Sequence, residues 1–232
     1  MALFLIIAAS SGMGQATVAL LKSLGHQVVT TARDRSKINP DFILDATDFD
    51  AVDAVFDQVG EVDGVVNFSG SLLLKPAHLT TKEQYQAVVE ASLTTAFATV
   101  RGAGKHLKKG GSVVLVSSAA ALQGLANHEA IAAAKAGIIG LVVSAAATYA
   151  SQRLRVNAVA PGLTETPLTA SLTSNENSRK FSEAMHALGR LGKPNDVAQA
   201  VAFLLDPAND WITGQVLAVD GGLSRITPKI RV

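Results

Sequence analysis

In the run Ala130-Ile131-Ala132-Ala133-Ala134-Lys135-Ala136-Gly137 a single ammonium stands among small apolar residues, where its three N–H donors can hold hydroxyl groups or shift the titration of a neighbour. His128 precedes Lys135 by seven residues and Ile131 by three, so a helix reaching back that far places all three on one face. An imidazole titrates near neutrality and can deliver a proton. Its alternative here is a loop side chain turned to solvent. A second set of residues, Ser10-Ser11-Gly12-Met13-Gly14, falls where an apolar run passes into a helical pattern. Glycines at that passage let the backbone approach a pyrophosphate, and the first helical turn offers free N–H groups with a partial positive charge. Two glycines also suit an ordinary tight turn.

The elements that must position these groups alternate along the chain. Short apolar runs predict strands at Leu3 to Ala8, Gln27 to Thr31, Phe42 to Leu44, Gly64 to Phe68, Ser112 to Val116, Arg155 to Val159 and Gln215 to Val219. Helices are predicted between them, from Gln15 to Leu24 before Gly25, from Phe49 to Val59, from Lys82 to Leu107 and from Glu129 to Ala150. This alternation predicts an α/β fold whose parallel sheet is covered by helices on both faces. The exception is Thr164 to Lys180, polar and interrupted by Pro167, which suits a mobile flap over a pocket.

With 232 residues, 48% of them hydrophobic, the chain can bury one substantial core, and neither repeat nor linker divides it, so a single domain over residues 1–232 is expected. A net charge of +1 leaves no basic stripe for nucleic acid, which directs attention to small molecules or further copies of the chain. Cysteine is absent, so thiol chemistry and zinc–thiolate sites are excluded, and no metal site is expected. The start of the chain lacks a basic leader and reads as a buried strand, pointing to the cytoplasm. Ile131 to Ala150 is apolar, but Lys135 interrupts it, so no membrane role is expected.

Five further short motifs follow in order: Asp45-Ala46-Thr47-Asp48, Asn67-Phe68-Ser69-Gly70, Pro161-Gly162-Leu163-Thr164-Glu165-Thr166, Arg190-Leu191-Gly192-Lys193-Pro194 and Asp220-Gly221-Gly222. Together with the glycine turn they span nearly the whole chain and resemble the short-chain dehydrogenase/reductase family. That resemblance implies a Rossmann-type doubly wound parallel sheet of about seven strands, with a flap at about residues 163–190. It also implies a dinucleotide held by Ser10, Ser11, Gly12, Met13, Gly14, Asp45, Ala46, Asn67, Ser69, Gly70, Lys135, Pro161, Gly162, Thr164 and Thr166. In the family pattern Thr-Gly-x-x-x-Gly-x-Gly, Gly12 and Gly14 match, while Ile7 and Ala8 replace the first two members. At the end of the second strand an acidic residue would select NAD; here Ala32 is followed by Arg33, whose guanidinium suits a 2′-phosphate, so NADP is expected over NAD.

The resemblance breaks at the catalytic groups. Family members combine a Ser, an Asn, and a Tyr four residues before a Lys. Ser118 and Lys135 stand at the matching positions, but Ile131 replaces the Tyr and Ser92 the Asn. An alkyl group can neither give nor take a proton. General acid catalysis contributes roughly 10²–10⁴ in rate, so ordinary ketone reduction should be slow unless another group, His128 foremost, acts as donor. The expected function is therefore an NADP-dependent oxidoreductase with altered acid catalysis, acting on a small apolar carbonyl or activated C=C substrate. The alternative is a catalytically inactive cofactor-binding relative serving as sensor or oligomeric partner. The family also pairs its Lys-bearing helix across a subunit interface, and the small residues Ala132, Ala133 and Ala136 suit that packing, which implies a homodimer or homotetramer.

Overall fold

The computed structural model describes residues 1–227. Seven strands, β1 (Leu3–Ile7), β2 (Gln27–Ala32), β3 (Phe42–Ile43), β4 (Gly64–Asn67), β5 (Gly111–Val116), β6 (Leu154–Pro161) and β7 (Val216–Val219), form one sheet in the order β3-β2-β1-β4-β5-β6-β7. Every neighbouring pair is parallel. Along β1 the side chains alternate between two cores: Leu5 and Ile7 join one, Phe4 and Ile6 the other. A strand covered on both faces favours apolar residues at every position, and β1 carries no polar residue.

The helices are α1 (Gly12–Ser23), α2 (Phe49–Val59), α3 (Lys82–Val89), α4 (Thr95–His106), α5 (Glu129–Tyr149), α6 (Ala170–Thr173), α7 (Glu176–Met185) and α8 (Pro194–Leu205). Residues of α2, α4 and α5 fill one core, and residues of α1 and α8 fill the other. The chain steps outward from β1 to β3, then returns to place β4 on the other side of β1. That reversal opens a crevice beyond the carboxyl ends of β1 and β4, where such sheets receive ligands.

Three elements depart from the pattern predicted above. The helix expected over Lys82 to Leu107 is interrupted by one π-helical turn at Glu90–Thr94, with Ser92 buried inside it. The polar segment Thr164 to Lys180 is ordered as a 3₁₀ turn (Pro167–Thr169), α6 and the start of α7, whose N-cap Asn175 accepts the Ser178 N–H. Helix α8 escaped the reading of the sequence, although Pro194 opens it and Val197, Ala198, Val201, Leu204 and Leu205 form its buried stripe.

Residues Glu129–Gln152, α5 and its 3₁₀ extension, are long and apolar enough to cross a membrane by length and composition. One face of α5, through Ile138, Val142, Ala145 and Ala146, is packed into the core. Its outward face carries Ala133, Ala136, Gly140, Val143 and Ala147, all exposed. Tyr149 at its end lies over α4, where a methyl group on Gly104 would meet the ring at 2.5 Å, so Tyr149 is part of the helix packing.

Candidate active site

At the end of β1 the chain turns through Ala8, whose φ of 56° lies in the left-handed region. Ser11 then caps α1, its Oγ accepting the Gly14 N–H at 3.0 Å. A Cβ on Gly14 would lie 2.8 Å from Ser11 Oγ and 2.9 Å from the Ala8 carbonyl oxygen, so no side chain fits there. One on Gly12 would lie 3.2 Å from Thr166, which shows that the Pro161–Thr166 loop comes down on the glycine turn. Ser10 and Met13 lie in the same turn and first helical residues, where helix geometry leaves backbone N–H groups without partners. The left-handed conformation costs Ala8 roughly 1 kcal/mol. Ala8→Gly is accordingly expected to stabilise the fold by up to about 1 kcal/mol, less the entropy glycine adds to the unfolded chain, as measured by urea unfolding.

Ala32, the last residue of β2, is buried, and Arg33 just beyond it is exposed. The Asp45 carboxylate accepts the Thr47 N–H at 3.0 Å and its hydroxyl at 2.8 Å. These bonds hold its pKa below the usual carboxylate value, with a smaller contribution from the Arg33 charge. The turn presenting Ala46 is thereby fixed beside a guanidinium. Asn67 ends β4; its Oδ1 accepts the Ser69 N–H at 2.7 Å and its amide donates to Thr99 Oγ1 at 2.9 Å. The resulting turn carries Gly70 close to α5, so that a Cβ there would stand 3.2 Å from Lys135 Nζ.

Lys135 is buried, and its Nζ donates to the Val116 carbonyl at 2.8 Å. Burial lowers its pKa from 10.5 to about 8. Ser92 Oγ, 3.9 Å from the same point beside Gly70, is buried with no partner among the described residues. A buried ammonium with one protein acceptor, next to an orphaned hydroxyl, is a place built for further polar groups. Ser117 plays a structural part, its hydroxyl donating to the Lys135 carbonyl at 2.9 Å and so fixing α5 to the end of β5. Ser118 caps the 3₁₀ turn Ala119–Ala121 by accepting the Ala120 N–H at 3.2 Å, which leaves its own O–H free to donate.

Ile131 is only 5% exposed and packs with Val88, Ala130, Ala134 and Leu73. The slot is therefore filled by hydrocarbon. His128 is the N-cap residue of α5, with φ −106° and ψ 11°, so the helix does not reach back to include it and the shared-face arrangement is not formed. Its Nδ1–H donates to the Ala126 carbonyl at 2.7 Å, tying the ring to its own loop.

On the opposite wall, Pro161 ends β6, and the Gly162 N–H donates to the Val219 carbonyl at 3.1 Å. Thr164 is buried and its hydroxyl donates to the Gly162 carbonyl at 3.1 Å. Arg179 of α7 reaches back to Glu165 at 2.5 Å. Nothing in the sequence singled out His186, yet it is buried against this loop. A lone histidine outside any spacing pattern carries no signal until the packing around it is known.

The glycine turn that admits no side chain, the start of α1, the exposed Arg33 and the half-satisfied Lys135 together fit a nicotinamide dinucleotide. Residues 7–224 match the family described as enoyl-(acyl carrier protein) reductase. The chain is 35% identical over 242 residues to the 3-oxoacyl-[acyl-carrier-protein] reductase FabG of Thermotoga maritima, covering 94% of this chain and 96% of that one. It is 36% identical over 240 residues to the cis-4-hydroxycyclohexanecarboxylate dehydrogenase of Sinomonas cyclohexanicum, covering 95% and 96%. Among solved structures it resembles ElxO with NADP bound, with a TM-score of 0.89 at 27% identity over 96% of this chain and 99% of that one. The ligand-free aldohexose dehydrogenase of Thermoplasma acidophilum gives the same TM-score, 0.89, at 27% identity over 100% and 97%.

The chain belongs to the short-chain dehydrogenase/reductase family of oxidoreductases.

Proposed function

We propose that the protein is an NADP-dependent oxidoreductase that transfers hydride to or from a small apolar carbonyl or activated C=C substrate, with proton delivery rearranged around the missing Tyr. The observation that carries this reading is Lys135, a buried ammonium held by a single protein carbonyl beside an orphaned serine hydroxyl. A fold with no polar ligand to bind there would bear the cost of burying that charge for no return. Ser10 to Gly14 and the start of α1 would hold the pyrophosphate, Asp45 and Ala46 the adenine, Arg33 the 2′-phosphate, and Lys135 the ribose hydroxyls. The turn Asn67 to Gly70 and the loop Pro161 to Thr166 would line the nicotinamide end. A bound nicotinamide supplies or accepts the hydride.

Among this chain's own groups, Ser118 is the donor the geometry favours, because its oxygen is already oriented by the Ala120 N–H and its proton is free. Its hydroxyl stabilises negative charge on a substrate oxygen, while Ile131 contributes only an apolar wall. Such a site favours substrates whose developing charge is spread, as in conjugate hydride delivery. Leu168 and Phe181 of the flap region, 53% and 69% exposed, offer apolar surface for a substrate. The ring of His128, tied to Ala126, is the second candidate donor, and full turnover by His128→Ala would remove it. Burial of Ile131 in hydrocarbon equally favours a second reading, a cofactor-binding protein without turnover.

Calorimetric titration with NADPH and NADH separates these cases from a fold that binds no nucleotide. Micromolar binding with NADPH preferred is expected, and Arg33→Ala should weaken NADPH about tenfold while leaving NADH unchanged, as loss of one charge-assisted contact predicts. No binding of either nucleotide defeats the proposal. Binding without absorbance change across a panel of enones, ketones and alcohols gives the second reading. We further propose that two copies associate through the exposed small-residue face of α5; light scattering should report at least a dimer, and a monomer would refute it.

A further inference from the structure

His186, at the end of α7, is 3% exposed and makes two hydrogen bonds of opposite sense. Its Nδ1–H donates to the Ser182 carbonyl inside α7 at 2.6 Å, and its Nε2 accepts the Leu163 N–H at 3.2 Å. These partners place the ring hydrogen on Nδ1 and leave Nε2 as the acceptor, because a hydrogen on Nε2 would face another donor. Contact with the loop is close: a Cβ on Gly162 would stand 2.7 Å from Nε2, so only glycine permits the imidazole at this distance. His186 also borders a cavity of about 510 Å³ with Leu188, Arg190 and Asp220. The Asp220 carboxylate is engaged elsewhere, accepting the Gly222 N–H and both Ser224 donors. The two hydrogen bonds therefore set where Leu163 sits relative to α7.

The geometry points to His186 as a positioning residue that clamps the Gly162–Leu163 backbone to α7 and so holds the wall of the site against the nicotinamide end of the cofactor. The inference rests on the reading of the site as an NADP site. It adds a residue outside every motif noted in the sequence. Without the clamp, the loop keeps its backbone bonds to Gly192, where the Gly192 N–H donates to the Leu163 carbonyl and the Glu165 N–H to the Gly192 carbonyl, both at 2.9 Å, but on α7 itself it is left with the ion pair of Arg179 and Glu165, between partly exposed side chains. Such pairs are weak.

The test compares His186→Leu, which keeps bulk but removes both bonds, with His186→Gln, which can restore an acceptor near the position of Nε2. Hydrogen exchange in the unliganded protein should show the Leu163 amide losing protection in the Leu variant and regaining it in the Gln variant. In His186→Leu, NADPH should bind about tenfold more weakly, as expected for a lost hydrogen-bonded support. Affinity for adenosine 2′,5′-bisphosphate, which lacks the nicotinamide end, should be unchanged, and the Gln variant should recover most of the NADPH affinity. Equal losses for both nucleotides would overturn the proposal by showing a general loss of fold. Unchanged Leu163 protection would also overturn it. A wild type that binds neither nucleotide would defeat the functional reading alone, since the exchange measurement judges the clamp without any ligand.

Discussion

Ile131→Tyr is expected to raise the rate of NADPH-dependent ketone reduction by about 10² or more, within the range that a placed general acid contributes. The replaced side chain stands four residues before Lys135, one helical turn away on the same face of α5, so the ammonium would favour the phenolate and lower the phenol pKa. Ser118 is already oriented on the neighbouring 3₁₀ turn. The larger ring must enter a space shared with Val88, Leu73 and the small residues Ala130 and Ala134, and overpacking there should cost about 1–3 kcal/mol. That loss is tolerable for a fold whose two cores are otherwise untouched. The assay is NADPH oxidation in the presence of a ketone panel, with unfolding and NADPH titration as controls. A variant that is folded and binds NADPH as the wild type does, yet gains no reduction, would show that the pocket is not arranged for carbonyl chemistry.

Lys135→Met should move stability and binding in opposite directions. Burial lowers the lysine pKa from 10.5 to about 8, a depression that corresponds to roughly 3 kcal/mol against the charged form in the folded state. Well above pH 10.5, both folded and unfolded chains hold the amine largely neutral. As pH falls from there, the unfolded chain takes up a proton that the folded chain resists, so stability declines until about pH 8 and then levels off. Methionine fills a similar volume without the charge. After allowing about 1 kcal/mol for the Val116 carbonyl left without its donor, the variant should gain about 2 kcal/mol at pH 7. Its stability should also lack the rise between pH 8 and 10.5. NADPH affinity should fall by about tenfold or more with the loss of the ribose contact. Urea unfolding over that pH range and calorimetry check both halves. A variant that is destabilised at pH 7, or that binds NADPH unchanged, would remove Lys135 from the role assigned to it. The stored cost at Lys135 is the usual signature of a group kept for binding and not for the fold.

How far the chain could be read depended on whether a feature was local. Strands such as β1, β4 and β5 are mostly apolar runs because both faces of a parallel sheet are covered, and that tendency is visible in composition alone. The glycine turn was legible for the same reason: a passage from strand to helix leaves its mark in adjacent residues. That an isoleucine stands four residues before Lys135, where the family resemblance expects a Tyr, was plain from the spacing. Helix α8 shows a weaker case, since its buried stripe is regular but follows a motif that drew the reading to Arg190 and Pro194. The π-helical turn around Ser92 has no sequence signature at all, because one extra residue in a turn is a matter of backbone hydrogen bonds.

Residue types and their spacing were thus enough to establish the doubly wound sheet, the glycine turn after β1 and the absence of an acid at Ile131. They could not place His128, which misses the helix by one residue at its cap, where helix ends are governed by loop geometry. Nor could they show that Ser92 is left without a partner beside Lys135, or that His186 braces Leu163 from 23 residues away. Each of these depends on which surfaces meet when β4, β5, α5 and α7 are assembled. Contact across that distance is a property of packing, and packing is where the fold turned a recognisable scaffold into this particular site.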